Sequence, residues 1–492
     1  MTSAASVQLN DEQQQAVETA LEVALEAGHM ALIGPAGTGK TTTIRAIAHR
    51  IAREFSGKSV LLLAPTHKAR LQFSAAALPY GAQAWTVAKF CQVKPTMWRD
   101  QDRFTASPND LRVIAQLQGR FAFVIVDESS MVTHELASRI VDICQSAGIG
   151  VMFAGDPYQL PPVGERPPID DGELLDEAKE IEPESAQAPE FVDAPVTARL
   201  QRVMRHGGPI LDLATGLRSD WGTMHAFPVV PVAAAESEIK ISAQFGRTFV
   251  AHMLREFKKH GSSDSSAFYA AAPRALCHQN RTVISLTKGL RQELYGEAAI
   301  GQWQVGEIIT FPTYTKTDVG FIYSSSDAVV VDTEIVQIPE MNMTVDYQTQ
   351  ARQLAKRLDL SFSGRFQRLT VRPVRPDGTV HECISHVVMT PLCDDPNPRR
   401  IYAEARQQLQ SRRLPSDHSG WAWLKGIKDA YLTPIYSAFV MTIHKSQGST
   451  FDHVYVSRDI LFAEDRETRN SLLYVAATRA SKTLTFSGPY DA

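Results

Sequence analysis

Gly34-Pro35-Ala36-Gly37-Thr38-Gly39-Lys40-Thr41 reads G-x-x-x-x-G-K-T, and the reading of this stretch decides the fold. Before it stands a short apolar run, His29-Met30-Ala31-Leu32-Ile33. After it Ile44, Ile47, Ala48 and Ile51 recur at helical spacing. Strand, glycine loop and helix start are the order that phosphate binding needs. Glycines let backbone N–H groups close on an anion, and the helix N-terminus adds partial positive charge. A glycine-rich turn can match the letters by chance, but seldom in this setting. Lys40 would reach the β/γ-phosphates and the Thr41 hydroxyl would hold Mg²⁺, with Thr42 continuing the helix start. A nucleoside triphosphate and Mg²⁺ are therefore expected here. The loop alone does not say what the energy is used for.

Working outward, 492 residues are too many for one core and predict about two to four domains. Net charge is −4, so a nucleic-acid partner would need a local basic groove against the overall sign. The five cysteines are scattered and odd in number, which implies no disulfide framework and suits a reducing compartment. The polar N-terminus and the lack of a long apolar run predict a cytoplasmic protein with no membrane partner.

Residues 10–27 predict an amphipathic helix, with Asn10 and Gln13 at capping-box spacing. Continuous apolar runs at 29–33, 60–63, 121–126 and 149–154 predict strands buried on both faces of a parallel sheet. Each ends in a polar motif, where ligands of such sheets sit. Residues 164–195 are acidic and proline-rich, which reads as a solvated linker or as a regulatory or partner-binding insert. A second α/β series is expected from 196, with strands at 238–241, 275–278, 307–311, 437–442, 454–456 and 483–486. Helical patterns at 243–259 and 281–295 separate some of these. The interval 312–432 is too long for a loop. Alternating stretches at 328–335 and 369–374, a turn at Asp377-Gly378 and a return strand at 380–388 predict a β-rich insertion.

Val124-Ile125-Val126-Asp127-Glu128 is a strand ending in paired carboxylates. Asp127 is suited to holding Mg²⁺ opposite Thr41, and Glu128 to taking a proton from attacking water. Asp alone would point to binding or switching; both acids favour hydrolysis. Gly155-Asp156-Pro157-Tyr158-Gln159 ends the next strand, and Gln159 could contact the γ-phosphate or orient the water. A proline-stiffened turn is the lesser alternative. His381, Cys383, His386 and Cys393 match no usual zinc spacing.

Leu9–Gln13, the glycine loop, Ala64–Ala69, Asp127-Glu128 and Gly155–Val163 together resemble the boxes of superfamily 1 helicases. Arg199–Arg205, Thr442–Thr450 and Tyr474–Ala480 continue the match in the family's order, closest to the RecD-like and Dda-like branch, superfamily 1B. That resemblance implies an α/β fold of two RecA-like P-loop motor domains. It places the first at 1–195, with a pin insertion at 88–120. The second is expected at 196–311 and 433–492, interrupted by an SH3-like domain at 312–432. It implies an ATP-dependent helicase that moves 5′ to 3′ on single-stranded DNA. Its partners would be single strands, single-strand/duplex junctions and single-strand-binding, replication or recombination proteins, and it would act as a monomer.

The resemblance also implies that Gln13 reads adenine, that Gly448 joins the nucleotide site, and that Arg205 and Arg479 are arginine fingers. An arginine that stabilises charge in phosphoryl transfer can raise the rate by ~10³-fold or more. Pro65, Thr66, His67 and Lys68 look like one part of the single-strand track. Thr442, His444 and Lys445 look like another, with His278 and Asn280 beside them. Relatives place a strand-separating pin at 88–120, and Trp98 could stack there on the first unpaired base, or simply pack under a loop. Arg368 and Arg372 share a strand face that could meet a DNA strand or only solvent. Rival readings are a translocase without unwinding, a nucleotide-regulated binding module and an RNA helicase.

Overall fold

The computed structural model describes residues 8–66, 69–70, 78–98, 101–106, 110–162, 187–202, 208–219, 231–234, 237–242, 253, 269, 272–348, 355–375, 379–393, 395–415, 417–463 and 465–487. Helix α1 (Asp11–Leu25) opens with Asn10 as N-cap, and the capping box with Gln13 is formed in both directions. In chain order the next strands are β1 (His29–Ile33), β2 (Ser59–Ala64) and β3 (Gln83–Thr86). The hairpin β4 (Val93–Trp98) and β5 (Gln101–Ala106) follows, then β6 (Phe121–Val126), β7 (Gly150–Gly155) and β8 (Val196–Arg199). Six of these form one parallel sheet in the order β3-β2-β6-β7-β1-β8.

Alternation along each strand feeds two cores. In β1, Ala31 and Ile33 join one face with Leu61, Leu63, Val151 and Phe153. Met30 and Leu32 join the other with Val60, Leu62, Met152 and Ala154. Burial on both faces explains the unbroken apolar runs. Strand β8 corrects the expected boundary at 195/196. It pairs in parallel with β1, and Leu200 packs in the core of the first sheet. Its four half-exposed residues carried no apolar run by which to assign it.

The second sheet has the order β19-β11-β20-β21-β10-β9. Its members are β9 (Val232–Ala233), β10 (Glu238–Ser242), β11 (Arg274–Cys277), β19 (Val440–Thr442), β20 (Phe451–Val456) and β21 (Ala480–Ser487). Only the β9–β10 pair is antiparallel. The single strand expected at 437–442 is two. β18 (Tyr436–Ser437) pairs with β12 (Ile308–Phe311) in a third sheet, and only β19 stays in the second. Each α/β lobe is thus built on its own six-stranded sheet.

The third sheet, β17-β16-β15-β12-β18, is antiparallel and dominated by the hairpin of β15 (Ser326–Gln348) with β16 (Ala355–Pro373). Strand β17 (His386–Pro391) completes it, and a small hairpin, β13 (Thr315–Thr317) with β14 (Gly320–Ile322), packs beside it. Near its base the hairpin encloses Phe311, Val330, Leu369 and Val371. Its outer half runs past that core, and Val345, Leu358 and Leu360 there need other cover. Helices Asn397–Ser411 and Ser419–Tyr431 supply it through Leu409, Trp421 and Leu424. The β-rich expectation for this interval is corrected to that extent. Asp377 and Gly378, most of 243–259, and 163–186 lie outside the described residues.

This sheet is pinned to the second lobe by a buried ion pair. From helix Asn280–Tyr295, Arg291 donates Nε to Glu307 Oε2 (2.7 Å) and Nη2 to Glu307 Oε1 (2.9 Å). The Arg291 guanidinium also lies 3.9 Å from the Trp303 ring centroid. Burial pushes the Glu307 carboxyl up while the hydrogen bonds from Arg291 hold it down.

Candidate nucleotide cleft and nucleic-acid face

The glycine loop follows β1, and helix α2 (Lys40–Glu54) begins at its lysine. Gly37 and Gly39 have φ of 85° and 83°, the left-handed region that glycine enters without strain. Gly34 is needed for space: a Cβ there would stand 2.8 Å from Thr38 Oγ1 and 3.0 Å from Leu200 Cβ. The Lys40 ammonium donates to Gly34 O (2.5 Å) and Pro35 O (3.0 Å), so it curls over its own loop.

A cleft lies over this loop. Pro35, Ala36, Gly37, Gly39, Lys40, Thr41 and Thr42 line its floor, with Asp127, Glu128 and Gln159 beside them. The opposite wall comes from the second lobe: Arg218, Gly448, Tyr474, Thr478 and Arg479. Gly34, Thr38 and Gln13 do not line it. Thr38 is fully buried and donates Oγ1 to Pro35 O (2.9 Å). Gln13 is buried behind the loop and donates Nε2 to Thr38 O (3.2 Å).

Burial, and then the neighbouring Glu128, push the Asp127 carboxyl up to about 7. Such an acid is poorly solvated as an anion and gains from a cation beside it. Glu128 occupies the left-handed region at φ 51°, and the cleft is closed over it by Gly448, where a Cβ would come 3.6 Å from Glu128 Oε1. Gln159 is buried, and its side-chain carbonyl has no hydrogen-bond partner. The donor set fits a hydrated divalent ion and a polyphosphate: one hydroxyl, one buried acid and a lysine whose charge acts on that acid.

Hydrogen bonds among the described residues tie the two lobes together. Tyr474 donates its hydroxyl to Asp156 Oδ2 (2.5 Å), and Gln447 donates Nε2 to Leu160 O (3.2 Å). Arg479 is buried with its donors bound inside its own lobe: Nε to Val475 O (3.2 Å), Nη1 to Ser449 O (3.0 Å) and Nη2 to Thr478 Oγ1 (3.0 Å). Burial lowers its pKa, opposed chiefly by the charge of Glu128.

The nucleic-acid candidates stand at carboxyl ends of strands in both sheets. Pro65 and Thr66 follow β2, and Thr66 Oγ1 accepts from Ala69 N (3.1 Å). Cys277 and Thr442 are register partners in β11 and β19, so His278 and His444 emerge side by side. Burial, aided by His278, drives the His444 imidazole down to about 4, so it is neutral at physiological pH. Lys445 Nζ sits 5.2 Å over the Tyr436 ring, and burial lowers its pKa. The backbone N–H groups of His278 and Gln279 donate to Asp459, and Asn280 is exposed at the start of its helix. Trp98 is the last residue of β4, at the turn end of the β4–β5 hairpin. His67, Lys68 and Arg205 lie outside the described residues. Arg368 is ion-paired with Glu334 (2.6 Å), and Arg372 donates to Ser385. Among the described residues no group of His, Cys, Asp and Glu could hold a metal by itself, and no helix is long and apolar enough to cross a membrane.

Asp156 and Tyr474 lie inside motifs that do not by themselves give either residue a role, and Arg218 lies outside every motif. The first two were visible as motif members; Arg218 had no local signal.

Residues 8–181 match the family model described as AAA domain, and residues 437–487 match UvrD-like helicase C-terminal domain. The chain is similar to an uncharacterized protein of Acanthamoeba polyphaga mimivirus, 22% identical over 497 residues, covering 92% of this chain and 94% of that one. It is also similar to an uncharacterized protein of Methanocaldococcus jannaschii, 28% identical over 155 residues, covering 31% and 13%. Among solved structures it is similar to the Pif1 helicase from Bacteroides in complex with ADP-AlF3 and ssDNA, at TM-score 0.46 and 15% identity, covering 98% and 92% of the two chains. The Pif1 helicase from Candida albicans is similar at TM-score 0.40 and 16% identity, covering 98% and 95%. The AAA domain thus carries the glycine loop and acid pair, and the UvrD-like helicase C-terminal domain that follows on the same chain carries Gly448, Tyr474, Thr478 and Arg479 of the facing wall.

Proposed function

We propose that this protein is an ATP-dependent DNA helicase that translocates 5′ to 3′ on single-stranded DNA and separates duplex strands. The observation that carries the reading is the cleft itself, whose floor comes from one lobe and whose wall comes from the other. A nucleotide bound there touches both lobes, so its cleavage changes how they are held together. Lys40 and the loop N–H groups hold the phosphates, and Glu128 accepts the proton of the attacking water. Thr41 and Asp127 would hold Mg²⁺, which when bound neutralises charge on the phosphates. Gln159, with an unpartnered carbonyl in the cleft, orients the water.

Arg205 and Arg479 act from the second lobe as arginine fingers. For Arg479 to reach the phosphates, an Nη group must leave Ser449 O or Thr478 Oγ1, which ties the finger to closure of the cleft. Thr66, His67 and Lys68 grip one part of the strand and Thr442, His444 and Lys445 the other. The neutral His444 offers a ring face for stacking rather than a second charge. Trp98 serves as the pin. Polarity follows from the superfamily 1B resemblance, and binding that depends on phosphate contacts should weaken with salt.

The decisive experiment is strand displacement on duplexes carrying a 5′ or a 3′ single-stranded tail, of DNA or RNA, with ATPase followed in parallel. Unwinding only from the 5′ DNA tail, with DNA-stimulated turnover, is the expected result. ATP turnover indifferent to any strand, with no displacement, defeats the reading.

A further inference from the structure

Arg218 takes no part in the function proposed above. It stands in the last turn of helix Pro209–Ser219, which packs Ile210, Leu213, Ala214 and Leu217 into the core of the second lobe. Of the same helix, Ile210, Leu211, Ala214 and Arg218 line the cleft. The Arg218 Nε is buried with no hydrogen-bond partner, and no ion pair among the described residues holds the guanidinium. An arginine stays charged in a protein, and this half-buried guanidinium on the cleft wall is open to an anion bound there.

The end of the cleft that it faces is fixed by Tyr474. That hydroxyl bonds Asp156, and it feels both the charge of Arg218 and the backbone N–H of Ala36. Arg218, Tyr474 and Ala36 all line this one cleft. The Lys40 ammonium is at the same end, on the carbonyls of Gly34 and Pro35. A lysine of such a loop reaches the β- and γ-phosphates, so this is the end where a triphosphate terminates.

We propose that Arg218 is a ligand of the terminal phosphate, donating from the second lobe to γ-phosphate oxygens and so distinguishing a nucleoside triphosphate from a diphosphate. It would do this without first giving up bonds, in contrast to Arg479. The inference rests on the nucleotide-binding reading of the cleft.

The test is fluorescence titration of the full chain with a non-hydrolysable ATP analogue and with ADP, comparing the native protein with Arg218→Ala and Arg218→Lys. Loss of a charge-assisted bond to phosphate should weaken analogue binding at least about tenfold in Arg218→Ala while ADP affinity stays within about twofold, and Arg218→Lys should regain part of the loss. Equal weakening of both nucleotides, or no change in either, overturns the assignment. Should Arg218→Ala not fold, Arg218→Gln gives the same comparison with a side chain of similar length. If the native protein binds neither nucleotide, the cleft reading itself fails. If it binds both and the variants keep its triphosphate preference, only the role of Arg218 fails.

Discussion

The cleft and the antiparallel region from 303 to 435 handle polar groups in opposite ways. In the antiparallel region and its anchor on the second lobe they are mostly paired, the Nε of Arg412 being an exception among the described residues. Arg291 spends its guanidinium on Glu307 and Gln302 O, and buried Gln367 accepts from Trp303 N and donates to Trp303 O and Thr333 Oγ1. In the cleft several are held back. Arg218 Nε and Gln159 Oε1 have no partner, and burial holds Asp127 close to neutrality. Buried polar groups normally find partners, so groups left open around a cavity mark where a ligand's atoms belong. The same residue types serve as scaffold where they are paired and as a receptor where they are not.

The largest expected effects separate chemistry from packing. Lys40→Ala should abolish ATP turnover, and Glu128→Gln should lower kcat by about 10²–10⁴-fold while retaining nucleotide binding. Steady-state ATPase assays with parallel binding titrations check both. A Glu128→Gln enzyme with near-native turnover would remove Glu128 as the base. On the scaffold side, Arg291→Ala leaves Glu307 buried and unpaired, which should cost about 3–5 kcal/mol of stability. Chemical denaturation measures the loss, and ATPase per folded molecule should stay close to native. A selective ATPase defect with unchanged stability would break the division between the two regions.

Smaller effects sharpen it. The folded pKa of His444, about 4, is below its unfolded value, so the unfolded chain binds more protons between about pH 4 and 6.5. Stability should therefore fall as pH drops through that window, by about 2 kcal/mol for this group after allowing for its partial exposure. His444→Gln should remove that part of the slope in denaturation series at several pH values. Tyr474→Phe deletes the bond to buried Asp156 and should cost about 1–3 kcal/mol. Because that bond joins the lobes, the same variant should also show weaker coupling of ATP turnover to single strands. A Tyr474→Phe protein indistinguishable from native in stability and DNA stimulation would mean that the contact between lobes carries nothing.

The glycine loop was legible because phosphate binding makes local demands. Left-handed glycines, a lysine at the helix start and a strand behind them must be adjacent in the chain, so they are adjacent in the sequence. The capping box of α1 was legible for the same reason. Strand β8 was not, since four half-exposed residues at a sheet edge carry no apolar run. Nor were the helices over the outer hairpin, because the need for cover at Val345, Leu358 and Leu360 arises only once β15 and β16 pair. The division of 437–442 between two sheets depends on which neighbour each half meets, and that is a tertiary matter.

The residue order alone determined that a parallel α/β lobe with a phosphate loop exists, that paired acids follow it, and that a second lobe carries a companion set of boxes. Those features depend on side-chain type and on spacing of a few residues. Only the folded chain decided that Tyr474 closes on Asp156, that Arg479 is spent within its own lobe, and that Arg218 is left facing the loop. Partnership between groups so far apart in the chain is set by how two separately built cores are juxtaposed, and no local pattern encodes that distance.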